Sequence, residues 1–385
     1  MSILKVDTIQ KADGTGSLSV PAESGTVVTT ASPSLGRRNL IINGAMQVAQ
    51  RGTSFSLGTS NTYTLDRWTS NNGSSFNLDV TLTQSTEAPD GFSHSLKIVP
   101  DTTQTPISGQ NGTIAARLEG QDLQHFGWGT SSAKDVTLSF WVRSNKTGIY
   151  SVQPYTYGSS NNSSGVFTYT INTADTWEYK TINFGTSSND IVNTSAKGIE
   201  IFWHLACGSG DLITPTNSIS TTVVGLQAAT GQVNFMDSTS NTFYITGVQL
   251  EVGSVATPFE HRSYGEELAL CQRYFQRIEG PSGAYMPLIP SINGGTANAR
   301  VLVPLAQSMR NDPSIGYSSA GALAIRNRGS FTMYTSTSIT LPTEKVVDNP
   351  AMVSLSVGVS SGLTAAEINI PYLSLGAYLD FDSEL

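Results

Sequence analysis

Side chains able to do chemistry are sparse and scattered along these 385 residues. The four histidines, His94, His125, His204 and His261, never fall at the His-x-x-x-His or His-Glu-x-x-His spacing that sets two imidazoles on one helix face for zinc. Two cysteines, Cys207 and Cys271, make neither a disulfide framework nor a four-ligand metal site. A Gly-x-x-x-x-Gly-Lys-Ser/Thr loop for a phosphate is missing. Glu119 and Asp122 imitate the carboxylate pair of a glycoside hydrolase, but that chemistry depends on a separation across the fold, not on spacing in sequence. Asp190 and Asp211 lack the clustered oxygen ligands that calcium wants. No motif calls for a cofactor or a metal, and the expectation is a protein that is not an enzyme.

Binding is better represented than catalysis. Trp128 sits in a Gly-Trp-Gly loop, and Tyr155 and Tyr157 precede the polar loop 158–165. Loop aromatics beside Asn and Ser suit a sugar, whose C–H face is apolar while its hydroxyls need polar partners. The competing reading is that these rings pack at the edge of a sandwich. In strands, Trp141 and Phe202 fall opposite the main apolar set, so a second sheet face is partly apolar. Another segment, a neighbouring subunit, a sugar or a local bulge could account for it.

The elements that would position these residues are β-strands. Val136, Leu138, Phe140 and Val142 alternate with Thr137, Ser139 and Trp141; Ile199, Ile201, Trp203 and Leu205 alternate with Glu200, Phe202 and His204. Such runs, separated by Gly/Ser/Asn turns and without helices between them, predict an all-β chain with an antiparallel β-sandwich of jelly-roll type over 38–262. One stretch, 264–278, reads as a helix: Leu268, Cys271, Phe275 and Ile278 follow 3,4,3 spacing, with acids early and arginines late. It places a short connecting helix at 263–281, followed by a smaller C-terminal β domain at 282–385. The first 37 residues carry too little apolar area for a core of their own and read as an arm.

Composition narrows the partners. A net charge of −8 has the wrong sign for a protein that lives by neutralising phosphates, so nucleic acid is excluded as the expected partner. Charged residues are only 13%, and no run of 18 apolar residues or basic-then-apolar leader occurs, so neither membrane insertion nor a cleaved signal is expected.

Several strings resemble tail fibre or host-specificity (receptor-binding) proteins of tailed bacteriophages: Arg38-Asn39-Leu40-Ile41-Ile42-Asn43-Gly44-Ala45-Met46 running to Gln50-Arg51-Gly52, then Asp66-Arg67-Trp68, Thr137-Leu138-Ser139-Phe140-Trp141-Val142, Thr176-Trp177-Glu178, and Phe243-Tyr244-Ile245-Thr246-Gly247-Val248-Gln249-Leu250-Glu251 running to Pro258-Phe259-Glu260-His261-Arg262. Leu268-Ala269-Leu270-Cys271-Gln272-Arg273-Tyr274, Met309-Arg310-Asn311-Asp312-Pro313 and the closing Asp382-Ser383-Glu384-Leu385 are similar to that family too. The resemblance implies a homotrimeric virion appendage. Its N-terminal arm would dock on phage tail or adaptor proteins, its jelly roll would resemble a carbohydrate-binding module, and its distal domain would meet host polysaccharide or lipopolysaccharide. Under that reading Trp141, Phe202, Leu268, Cys271, Phe275 and Ile278 are candidates for the trimer interface. Trp128, Tyr155, Tyr157, Tyr285, Arg326, Arg328 and Tyr334 are candidates for carbohydrate. A tailspike depolymerase of capsular polysaccharide and a purely structural tail or baseplate protein are the alternatives.

Overall fold

The computed structural model describes residues 9–10, 17–18, 37–73, 76–220, 225–327, 331–342, 351–364 and 368–385. The chain divides into two units, Met1–Arg38 and Asn39–Leu385. In the first, Ile9–Gln10 pairs antiparallel with Ser17–Leu18.

The second unit opens with a sandwich of two six-stranded sheets. Sheet I runs in the order Ser163–Ser164, Gly148–Thr156, Lys197–Cys207, Asn111–Glu119 and Trp68–Gly73, with Phe167–Ile171 also on Gly148–Thr156. Sheet II runs Glu178–Gly185, Val136–Ser144, Phe243–Val252, Ser95–Pro100, Val80–Ser85 and Ser54–Leu57. The chain crosses back and forth between the sheets, the winding of a jelly roll. The period-2 pattern has the predicted consequence: Leu138, Phe140 and Val142 from sheet II meet Ile199, Ile201 and Trp203 from sheet I in one core, with Phe140 edge-on to Trp203 at 5.9 Å.

Trp141 and Phe202 do not share a face. They lie on the outward sides of different sheets, because their strands belong to opposite halves of the sandwich. The outward side of sheet I is covered in part by the chain itself at 225–232. Ser151 Oγ accepts from Ala229 N at 2.8 Å, Gln153 Oε1 from Gln227 N at 3.0 Å, and Gln232 Nε2 donates to His204 O at 3.3 Å. His204 is buried here against Gln153 (3.1 Å), and burial pushes its pKa down to about 3, so the ring is neutral.

The Asn-Gly signal at 43–44 is a buried hub as well as a turn. Asn43 Nδ2 donates to Val48 O and Asp66 O, both at 2.9 Å, and its own carbonyl accepts from Trp68 Nε1 at 3.1 Å. Gly44 lies so close to Val248 that a β-carbon there would sit 2.1 Å from the Val248 carbonyl oxygen.

The predicted helix is shorter than its periodicity implied. It spans Tyr264–Gln272, opened by a Ser263/Glu266 capping box. Its most buried positions are Glu267 and Cys271, one turn apart, with Leu268 half-buried beside them. Glu267 is turned inward because it accepts from Asn43 N and Arg262. Phe275 and Ile278 belong to a strand, Phe275–Glu279, that pairs with Tyr378–Asp382. The cross-strand Arg277–Asp380 pair, bidentate at 2.7 Å, fixes that register. On a strand, positions 275 and 278 point to opposite sides, which splits the apparent stripe.

The C-terminal domain is a closed barrel. Ile368–Leu373, Ser291–Asn293, Asn298–Pro304, Met352–Val359, Met333–Thr340 and Leu323–Arg326 pair in that order, and Leu323–Arg326 pairs back onto Ile368–Leu373. Closure removes the free edges that a sheet this small would otherwise expose. Its interior is a separate core that includes Val301, Leu355, Val357, Ile325 and Leu373.

Candidate functional site: an outward face of the barrel

Cross-strand register decides which barrel side chains share the solvent side. Tyr372 is paired with Pro287 on one neighbour and Ala324 on the other, so these three lie in one row. Ile370, Arg326 and Met333 form the next row. Because side chains alternate, Pro371, Ile325 and Tyr334 between those rows point the other way, and Ile325 lies in the core. Tyr285 meets Tyr372 edge-on at 6.3 Å and is 47% exposed. Phe331, 67% exposed, carries the Arg326 guanidinium 5.0 Å from its ring. Phe331 also adopts φ +60°, a conformation bulky residues avoid, and is held there by its N–H on Asn327 O at 2.9 Å. Among the described residues no carboxylate pairs with Arg326. The face therefore offers two tyrosine rings, an arginine with donors to spare, and an apolar floor of Ile370 and Met333.

Of the four carbohydrate candidates in this domain, Tyr285 and Arg326 fall on this face. Tyr334 is turned towards the barrel core, and Arg328 lies outside the described residues. Sequence reading missed Tyr372, Phe331 and Met333, because only the barrel register brings them beside Tyr285 and Arg326.

The sandwich candidates are differently placed. Trp128 is 5% exposed, packs on Phe126 at 5.1 Å and donates to Lys134 O at 2.8 Å. Both ring and N–H are used internally, so it cannot serve as a sugar platform. Tyr155 and Tyr157 are half-buried with ring centroids 5.2 Å apart. The Tyr157 hydroxyl donates to Glu200, a carboxylate that also pairs with Arg117 and with Lys197 (2.9 Å). Burial alone would raise Glu200; Arg117 first, then Tyr157 and Lys197, bring it below the usual carboxylate range. Tyr157 is thus tied into an ion cluster, while Tyr155 meets Asn162 Nδ2 at 3.2 Å.

The six interface candidates do not form one surface. Phe202, Cys271 and Phe275 are buried within the chain, Ile278 packs against the barrel core, Leu268 is half-buried on the helix, and Trp141 lies on the outward face of sheet II. Phe275 is capped by the Arg51 guanidinium at 3.6 Å.

Several of the strings that resemble tail fibres meet at the junction between sandwich and barrel. Arg67 is 2% exposed, lies 3.4 Å over the Tyr274 ring, and pairs with Glu384, while Arg51 reaches Asp382 at 3.0 Å and Glu384 at 3.3 Å. Arg310 donates to Ser383 O (2.8 Å), Glu384 O (3.0 Å) and Ser195 O (2.8 Å). Leu385 O accepts from Tyr63 Oη (2.7 Å) and Arg117 (2.6 Å). Glu119 belongs to the same region: it accepts two bonds from Arg273 at 2.8 and 2.9 Å and one from Tyr274 Oη at 2.6 Å. Burial works to raise its pKa, but Arg273 and Tyr274 bring it below the ordinary value. Glu119 is thus held by Arg273, Tyr274 and Gln121, and Asp122 beside it is raised by burial and then by the Glu119 charge.

The sequence matches no protein-family model and no curated protein. Among solved structures it is similar to the enzymatically active domain of bacteriophage CBA120 tailspike protein 4 (16% identity, TM-score 0.28, covering 56% of this chain and 21% of that one). The CBM22-2 xylan-binding domain of Paenibacillus barcinonensis Xyn10C gives 13% identity and TM-score 0.28 over 51% of this chain and 98% of that one. The family 11 carbohydrate-binding module of Clostridium thermocellum Lic26A-Cel5E gives 12% identity and TM-score 0.27 over 55% and 98%. This chain thus spans about a fifth of the tailspike structure it overlaps. Overlap of this size assigns neither a site nor an activity.

Proposed function

We propose that the chain is a structural adhesin of a phage tail, recognising a host-surface glycan through the outward face of its C-terminal barrel. The observation that carries this reading is the solvent-facing group of Tyr285, Tyr372 and Arg326. Aromatic rings with a free guanidinium fit a saccharide, whose ring faces stack while its hydroxyls or acid groups accept. The strings at the junction support the tail-fibre part of the reading, and in it the adhesin is a homotrimer carried on the virion. Several copies would let weak single sites suffice through avidity.

The test is binding of the purified, fluorescently labelled protein to intact host cells and to cells stripped of surface polysaccharide, with its mass in solution measured alongside. Binding that needs the polysaccharide and falls in Tyr285→Ala supports the reading. Equal labelling of stripped cells, or full labelling by the Tyr285→Ala and Arg326→Ala proteins, refutes it.

A further inference from the structure

A second group of rings crosses the outward face of sheet II, on the sandwich. Trp141 is paired across strands with Tyr179, and their rings are 5.3 Å apart. On its other side Trp141 approaches Phe92 over Gly247, where a β-carbon would sit 2.7 Å from Phe92 Cζ and 3.0 Å from Trp141 Cδ1. Gly247, at φ +61° in a bulge, keeps that gap closed to anything but the two rings. Phe92 continues the line onto Phe259 at 5.0 Å. With neighbouring strands about 4.8 Å apart, the band runs for about 15 Å across the sheet. Tyr179 is 42% exposed and Trp141, Phe92 and Phe259 are half-buried, so each keeps a surface towards solvent.

Beside this line stands a polar fork. Glu87 accepts from Arg143 at 3.0 Å and from Tyr244 Oη at 3.1 Å, with Lys97 at 3.7 Å, and Trp177 meets the Tyr244 ring at 6.0 Å. The fork joins one carboxylate to two cations, with Asp175 3.9 Å from Arg143 as a second acid, so its charges nearly cancel. We propose that this band is a separate saccharide-binding site that takes a neutral linear polysaccharide laid across the strands. The rings supply successive stacking surfaces, and Glu87, Arg143 and Lys97 supply an acceptor and donors for hydroxyls at the side. Near-neutrality gives an anionic polymer no field to follow. A second copy of this chain is a poorer occupant, because interface cores shed charge and this band has a charged fork among its rings. The site does not depend on the barrel face, and its test is separate from that of the barrel.

The test is affinity electrophoresis of the full chain in gels containing soluble xylan, mixed-linked β-glucan or dextran. Retardation by at least one of the three is expected, weakened about tenfold in Tyr179→Ala and in Trp177→Ala. Tyr179 is exposed, so its variant keeps the fold even if the tryptophan variant does not. No retardation in any gel overturns the proposal, as does retardation that the Tyr179→Ala protein retains in full. A change in the mass of the Tyr179→Ala protein without a change in retardation also overturns it and makes the band a subunit contact.

Discussion

The pair between Arg67 and Glu384 gives the most exacting test of the junction. Glu384→Gln keeps the shape of the side chain and removes its charge, leaving the Arg67 guanidinium, 2% exposed, with neutral acceptors only. Arg51 keeps Asp382, so the loss falls on Arg67. Removing one partner of a buried pair costs about 3–5 kcal/mol, a large share of the ~5–15 kcal/mol that holds a folded domain. Replacing both charges with apolar residues, Arg67→Met with Glu384→Leu, leaves no unpaired charge and should recover most of that loss. The assay is urea unfolding followed by two probes. All five tryptophans, Trp68 to Trp203, lie in the sandwich, so their fluorescence reports it alone, whereas far-UV circular dichroism reports sandwich and barrel together. The parent should unfold with coincident curves, and Glu384→Gln should shift the midpoint down and separate them. A Glu384→Gln protein within about 1 kcal/mol of the parent, with the curves still coincident, would refute the idea that these charges couple the two cores.

Other outcomes rest on the same structure. Stability should fall in two windows on acidification. The buried neutral ring of His204 gives up to about 1.4 kcal/mol per pH unit as pH drops below its ordinary value near 6.5 towards about 3, because the unfolded chain binds the proton first. Glu119 and Glu200, held below their ordinary values, add a loss that begins only below about pH 4.3 as they take up protons. A pH series of urea midpoints measures both, and His204→Gln should flatten the first window alone. Gly44→Ala, whose new carbon meets a backbone oxygen, should cost more than about 3 kcal/mol or prevent folding, read by thermal melting. Tyr285→Ala and Arg326→Ala should reduce cell labelling without moving the melting temperature by more than about 2 °C, since both side chains lie on the solvent side of the barrel wall.

Much of the fold is legible in the sequence, because alternation along a strand reports burial directly. Val136 to Val142 and Ile199 to Leu205 each face the core as their pattern dictates. What alternation does not report is which strands are neighbours. Trp141 and Phe202 carry the same signature, an aromatic on the far side, and end on opposite surfaces of the sandwich. The 264–278 stretch shows the complementary weakness. A 3,4,3 spacing extends past Gln272, but Arg277 finds Asp380 on the C-terminal strand, over 100 residues away in sequence, and that pairing takes the segment out of the helix. The barrel face is half visible for the same reason: Tyr285 and Arg326 stand in polar, turn-rich sequence, while Tyr372 becomes their neighbour only through ring closure and Met333 through the pairing of Leu323–Arg326 with Met333–Thr340.

The junction is built largely from the strings that resemble tail fibres. Asn39, Asn43, Asp66, Arg67, Arg262, Arg273, Arg310 and Glu384 all come from the strings that resemble tail fibres, and all are spent on holding the chain together. Asn39 accepts from Ile41 N and Leu250 N, Glu260 accepts from Asn39 N, and Arg262 donates to Ile41 O at 3.1 Å, so even the most specific string binds its own fold. A motif of this kind specifies how a sandwich is joined to the domain after it and is silent about any ligand. The outward barrel face lies outside those strings, whereas the band on sheet II takes Trp141, Gly247 and Phe259 from them. Substitutions there can change what is bound without touching Arg67, Tyr274 or Glu384. This division predicts that exchanging residues on the barrel face alters recognition at nearly constant stability, whereas exchanging the junction residues Arg67, Arg273 or Glu384 does the reverse.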